Sequence, residues 1–316
     1  MPDIYMHNRF AKDLLKNLKT PLNNDLVRIG SQGPDPYYYL VFSNQKNHAR
    51  HIGDRLHDTN VQTLLVTMTN YVKKHYSKDL YSYYVGFLMH FALDANVHPY
   101  VYHHVGIYDE NNPSNQDNKG LHLRFERSID TMLIQEDTKR CAYYYKITEA
   151  LPLKKLPKII SDFYEYSVSE ALNIYDAGEL FLRSYKKMRF VLKRFVYDRT
   201  GVKYKLLNFL DRKKPADDLF YKDLSFRNRD LSYDFLNRDH QTWYHPVTKQ
   251  PSKKSVDDLY ADALFDAERF IKQTALYIFE EQPIDFNHLF KNRSFNSGVS
   301  CDDERPMQFF QIYTEK

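Results

Sequence analysis

The stretch GFLMHFALDANVHPY, Gly86 to Tyr100, constrains the fold of this chain more than any other. Around Val85 to Val97, apolar side chains point in nearly every direction of a helix, so such a helix is buried on most sides. It nevertheless carries His90, Asp94 and His98, which at 3.6 residues per turn share one arc of about 80°. An ionised carboxylate in that setting is costly unless it is paired or bound to a metal. The fold must therefore wrap other elements around this helix and bring partners to one polar stripe. Pro99 disfavours a helical conformation for the residue before it, so the helix is expected to end at His98.

The rest of the chain also reads as helical. Only nine glycines punctuate 316 residues, and short strand-like runs bounded by Gly and Pro are absent. Helical periodicity covers Arg9 to Leu18, Asn60 to Tyr76, His122 to Gln135, Lys158 to Tyr175, Gly178 to Tyr197 and Ser255 to Phe279. Arg28 to Tyr39, Tyr108 to Gly120 and roughly 210–254 read as loops. An all-α, multi-helix bundle is expected. Residues 1–140 form its chemical core, and residues 141–316 form a helical continuation on the same domain that includes a family-specific C-terminal extension.

Cys141 and Cys301 cannot supply a disulfide framework or a cysteine zinc site, so a reducing compartment is the natural reading. The N-terminal sequence lacks a signal-peptide pattern and no window reaches about eighteen apolar residues. A cytoplasmic protein without a transmembrane segment is expected. A net charge of +4 is too small for a dedicated nucleic-acid binder.

Ten of the thirteen histidines lie between His7 and His122, which places the chemistry in the first 130 residues. A buried His–Asp hydrogen bond is the simpler account of any single pair at such a spacing. Three polar residues in register, with a second ladder at His122 and Glu126, shift the balance toward metal. Asp35 stands between two prolines, where a stiff chain holds its carboxylate in place. Of the loop histidines His48, His51 and His57, the last is favoured as a ligand. His7 stands at the mouth of the first helix, and Asn96 and Asp130 are candidates to support the ligands.

This ordered set resembles the zinc-dependent phospholipase C family, whose fold and trinuclear zinc site are shared with single-strand-specific nucleases of fungi and plants. The chain looks closest to uncharacterised bacterial members that begin Met-Pro, carry Gln-Gly-Pro-Asp and end the ladder in Asp-x-x-x-His-Pro. The resemblance implies one zinc held by Asp35, His57 and His90. It implies that Asp94 bridges to a second zinc, held by His7 and the chain's own amine at Pro2 once Met1 is removed. A third zinc would use His98, His122 and Glu126. Three residues separate Asp94 from His98 where the secreted enzymes have five, and Pro36 replaces the aromatic that follows their loop aspartate.

Histidine and carboxylate without cysteine suit hydrolytic rather than structural zinc. The expected activity is phosphodiester hydrolysis of the phospholipase C type with two to three zinc ions, on a phospholipid or a nucleotide, with Asp35 as the catalytic carboxylate that orients water. Alternatives are a nuclease, an HD-type nucleotide phosphohydrolase suggested by His57-Asp58, and a non-catalytic helical protein held together by metal. The basic stretch Ser184 to Lys205, with Met188, Val191, Leu192, Phe195 and Val196 on its apolar side, reads as the solvated face of a core helix. Transient contact with a membrane surface, or contact with nucleic acid, is its alternative role.

Overall fold

Helices carry nearly all the regular structure in the computed structural model, which describes residues 3–40, 43–109, 111–213 and 220–314. In chain order they are α1 (Ile4–Asn17), α2 (Asn24–Gly30), α3 (Lys46–Asp58), α4 (Val61–Lys74), α5 (Lys78–Val105) and α6 (Leu121–Thr138). The later ones are α7 (Lys158–Leu172), α8 (Ala177–Phe195), α9 (Val202–Lys213), α10 (Val256–Phe279) and α11 (Phe286–Phe290). Five short 3-10 helices, one of them Asp35–Tyr39, and one antiparallel pair of two-residue strands, Trp243–Tyr244 with Pro251–Ser252, complete the regular elements among the described residues. The bundle is all-α.

Helix α5 is the axle. Its apolar residues from Leu80 to Val101 are buried on every side, as the unbroken hydrophobic run requires. It does not end at His98 but continues to Val105 with Pro99 inside it. Pro99 cannot donate to the carbonyl of Ala95. Arg293 replaces the missing amide, its Nη2 donating to that carbonyl at 2.7 Å. A partner almost two hundred residues downstream thus permits a helix that the local sequence disfavours.

Helix α2 lies unusually close to α5 because two glycines face each other. A Cβ at Gly30 would stand 2.1 Å from the Tyr83 carbonyl oxygen, and one at Gly86 would stand 2.2 Å from that of Val27. This approach aims the following turn, which holds Asp35, at the middle of α5. On another side α10 packs along α5, with Phe91 stacked on Phe270 at 5.2 Å. Ser255 and Asp258 close a reciprocal capping box at the start of α10.

Helix α1 is anchored from α6. The Asp130 carboxylate accepts the backbone amides of Tyr5 at 2.7 Å and Met6 at 2.9 Å, satisfying donors that a helix start leaves open. Beside it, the fully buried Arg127 pairs with Asp3 at 2.6 Å and lies over the Phe226 ring.

Further expectations need correction. Arg28 to Tyr39 is not all loop, since α2 runs to Gly30 and a 3-10 turn covers Asp35–Tyr39. The segment carrying His48, His51 and His57 is helix α3 rather than a loop, with Ala49, Ile52 and Leu56 turned into the core. Region 210–254 is largely irregular, but α9 runs into its start. On α8, Met188, Val191, Leu192 and Val196 are buried, so that apolar side faces the core.

Candidate metal centre

Four buried side chains from three elements converge at the middle of α5. Asp35 comes from the turn after α2, His57 from the last turn of α3, and His90 and Asp94 from successive turns of α5. One donor atom from each lies within 4.8 Å of all the others. Asp35 Oδ1 is 3.6 Å from both His57 Nε2 and His90 Nε2. Asp94 Oδ2 stands 3.1 Å from His90 Nε2 and 3.8 Å from His57 Nε2. Its other oxygen faces His7 Nε2 at 3.2 Å, and the His7 ring stacks on that of His90 at 4.4 Å. Asp94 therefore looks two ways.

The second group lies one turn further along. His98 Nε2 and His122 Nε2 both approach Glu126 Oε1, at 3.5 and 2.9 Å. These three also offer donor atoms within 4.8 Å of one another. His122 is the accessible member, its side chain about one-third exposed against 3% or less for the other two. The second group thus opens toward solvent, bordered by Tyr102, whose ring lies 4.9 Å from that of His122.

Histidine tautomers are set from behind. His57 Nδ1 donates to the Gly53 carbonyl at 2.7 Å, His90 Nδ1 to that of Ser31 at 3.1 Å, and His98 Nδ1 to that of Phe295 at 2.8 Å. A ring whose Nδ1 carries the proton presents a bare lone pair at Nε2. In all three rings Nε2 is buried and makes no hydrogen bond, although carboxylate oxygens stand 3.1–3.8 Å away. Asp35 Oδ1 and both Asp94 oxygens are in the same state. Buried polar atoms normally find partners. Lone pairs aimed at one another across 3–4 Å are the pattern left by ligands that share a cation.

Protonation agrees with that pattern. Burial holds the His7 imidazole down at about 4, with the neighbouring His90 adding to the effect. Burial likewise lowers His98 to about 4. Burial works against ionisation of Asp94, but the imidazoles of His90 and His98 outweigh it and hold the carboxylate well below its usual range. Burial also opposes ionisation of Glu126, which His122 overcomes. Neutral imidazoles and charged carboxylates are the forms that bind metal. Asp35 is the exception, since burial first, and then the charge of Asp94, push it well up. A cation between the two carboxylates would remove that conflict.

A family described as zinc dependent phospholipase C matches residues 6–181, more than half of the sequence. The chain belongs to the zinc-dependent phospholipase C family. No curated protein and no solved structure matches it. Membership and the two buried histidine–carboxylate groups together support a zinc-dependent hydrolase acting on phosphodiesters. The donor set fits the ion the family is named for, being nitrogen and oxygen without thiolate.

Of the residues singled out from sequence, His7, Asp35, His57, His90, Asp94, His98, His122 and Glu126 come together. Pro2 lies outside the described residues. His48 and His51 are exposed on the other side of α3, where His48 pairs with Asp176 at 2.9 Å. Asn96 joins Arg293 and Asp266 rather than the cluster, and Asp130 holds α1. Asp58, the aspartate of the His-Asp dipeptide, bonds to Ser294 and Asn296 and belongs to neither donor group, which removes the basis of an HD-type site. The carbonyls of Gly53, Ser31 and Phe295 were not legible in the sequence, because a backbone oxygen carries no residue signature. Gly33 is the exception. At φ +48° its missing side chain leaves room for His90, and a Cβ there would stand 2.2 Å from His90 Cδ2.

Proposed function

We propose that this protein hydrolyses phosphodiesters at a cluster of two to three zinc ions. Asp35, His57 and His90 would hold one ion, and Asp94 would link it to a second held by His7. His98, His122 and Glu126 would hold the third. The observation that carries this reading is the two-way carboxylate of Asp94, with unbonded lone pairs facing it from His57 and His90.

When bound, zinc ions supply Lewis acidity toward phosphate oxygens and lower the pKa of water. The residues of the chain supply the rest. Asp94 fixes the spacing of the two donor sets that share it. Asp35 spans His57 and His90 with one oxygen, leaving the other to orient an attacking water and accept its proton. The carbonyls of Gly53, Ser31 and Phe295 keep the imidazoles in their donor tautomers. The half-open edge at His122 is the side from which a phosphate group enters, and it favours an enzyme over a sealed structural metal site. We read residues 1–140 as the cluster-bearing part and residues 141–316 as its continuation, which reaches back through Phe295.

The test compares zinc-loaded and chelator-stripped protein on bis(p-nitrophenyl) phosphate and on phosphatidylcholine. Hydrolysis that disappears with the metal, returns with zinc and is lost in a zinc-retaining Asp35→Asn variant supports the reading. A fully zinc-loaded protein that cleaves no phosphodiester overturns it in favour of a structural metal.

A further inference from the structure

The chain's positive charge is concentrated in one place. Residues 186–213, the later part of α8 through α9, hold ten Lys and Arg against two Asp, an excess of eight in a chain whose total excess is four. The remaining residues are together net negative. Both carboxylates are taken up by backbone amides, Asp198 fully buried and Asp211 partly so. Asp198 is buried and accepts the amides of Gly201 and Tyr204, while Asp211 accepts those of Tyr221 and Lys222. The surface left facing water is cationic.

That surface also exposes large apolar side chains. On α9, Val202, Leu206 and Phe209 are 65%, 51% and 55% exposed, at the i, i+4, i+7 spacing of one helical stripe. Phe190 on α8 is 55% exposed and has the Arg194 guanidinium over its ring. The opposite side of α9 is anchored by Leu207, which packs with Val191 of α8, Leu224, Leu123 and Tyr39. Leu123 follows His122, and Tyr39 closes the turn that begins at Asp35. The exposed stripe is thus backed by residues adjoining the proposed site.

We infer that α9 docks this protein on an anionic phospholipid bilayer, seating Val202, Leu206 and Phe209 among the headgroups with its flanking cations on lipid phosphates. An apolar stripe edged by cations is the pattern of helices that lie in a membrane interface. The aliphatic members weigh against nucleic acid, which would be met by cations and stacking aromatics. This inference rests on the phosphodiesterase reading and assigns the surface by which the protein meets a membrane.

The test sediments the full, zinc-loaded chain with vesicles of mixed phosphatidylglycerol and phosphatidylcholine, and with phosphatidylcholine alone. Binding should favour the anionic vesicles and weaken with salt. Leu206→Ser with Phe209→Ser should reduce vesicle affinity roughly tenfold or more, and Lys205→Glu with Arg212→Glu should abolish the preference for anionic lipid. Both variants change exposed positions and should keep the parent's circular dichroism and its rate on bis(p-nitrophenyl) phosphate. Failure to bind vesicles, binding indifferent to both variants, or tighter binding to single-stranded DNA than to vesicles overturns the inference. Vesicle binding without cleavage of any phosphodiester leaves the docking surface standing and overturns the catalytic reading instead.

Discussion

Arg293 donates to the carbonyl of Ala95 at 2.7 Å, the carbonyl that Pro99 leaves without its helical amide. The same guanidinium is held by Asp266 of α10 at 2.9 Å and donates to the Gly298 carbonyl at 2.8 Å. The segment so fixed includes Phe295, whose carbonyl accepts from His98 and whose amide donates to the carbonyl of His57. A proline inside the central helix and a loop near the C-terminus are therefore one structural device, and it ends on two histidines of the site.

Arg293→Met should consequently lower stability by about 1–3 kcal/mol, the cost of leaving a buried acceptor unmet. Urea denaturation should show a reduced midpoint. An unchanged midpoint would mean that the Ala95 carbonyl finds another donor.

Asp3→Ala should be more damaging. It leaves the guanidinium of Arg127 buried without its carboxylate, a situation that costs roughly 3–5 kcal/mol. Because Asp3 also accepts the amide of Ile4, the start of α1 loses a cap. Hydrogen exchange should show faster opening of α1 than of α5. Equal protection in variant and parent would count against the anchoring role.

Gly33→Ala tests the back of the cluster. The added methyl group meets the His90 ring and demands a left-handed backbone of an ordinary residue. Zinc affinity should fall by the 10–100-fold typical of a disturbed ligand, with helix content retained. Retention of zinc against a competing chelator at the parent's level would contradict the placement of His90.

Much of this site could be read before the fold because metal binding restricts both residue type and spacing. His90, Asp94 and His98 declared themselves by sitting in an apolar helix that offers them no other use. Helix α3 was missed because KNHARHIGDRLHD has only three core-facing apolar side chains in thirteen residues, so its pattern is faint. The end of α5 was misplaced for a different reason. Pro99 is a valid local stop signal, and what overrides it is Arg293, a residue that no window around the proline contains. Long-range satisfaction of one carbonyl decided seven residues of helix.

Acid should destabilise the metal-free protein. Burial lowers His7 and His98 to about 4, against an unfolded value near 6.5. Below pH 6.5 these imidazoles bind more protons in the unfolded chain than in the folded one, and their contribution to stability is lost as pH drops toward about 4. His104, stacked on Phe125 and lowered to about 3 by burial, adds to the same slope. Chelator-treated protein should show a lower urea midpoint at pH 5 than at pH 7, a difference reduced by the opposing contribution of Asp35 and Asp130, whose buried carboxyls are held above their usual range. A flat profile would mean that these rings are hydrated or already charged in the folded state.

The central claim is that Asp94 joins two metal positions while Glu126 serves one. Zinc content of the purified parent, Asp94→Asn and Glu126→Gln, measured by plasma mass spectrometry after zinc-supplemented expression, tests it most directly. The account predicts two to three ions per chain in the parent, loss of about one in Glu126→Gln, and a larger loss in Asp94→Asn. Less than one ion in the parent, or equal losses in the two variants, would contradict it.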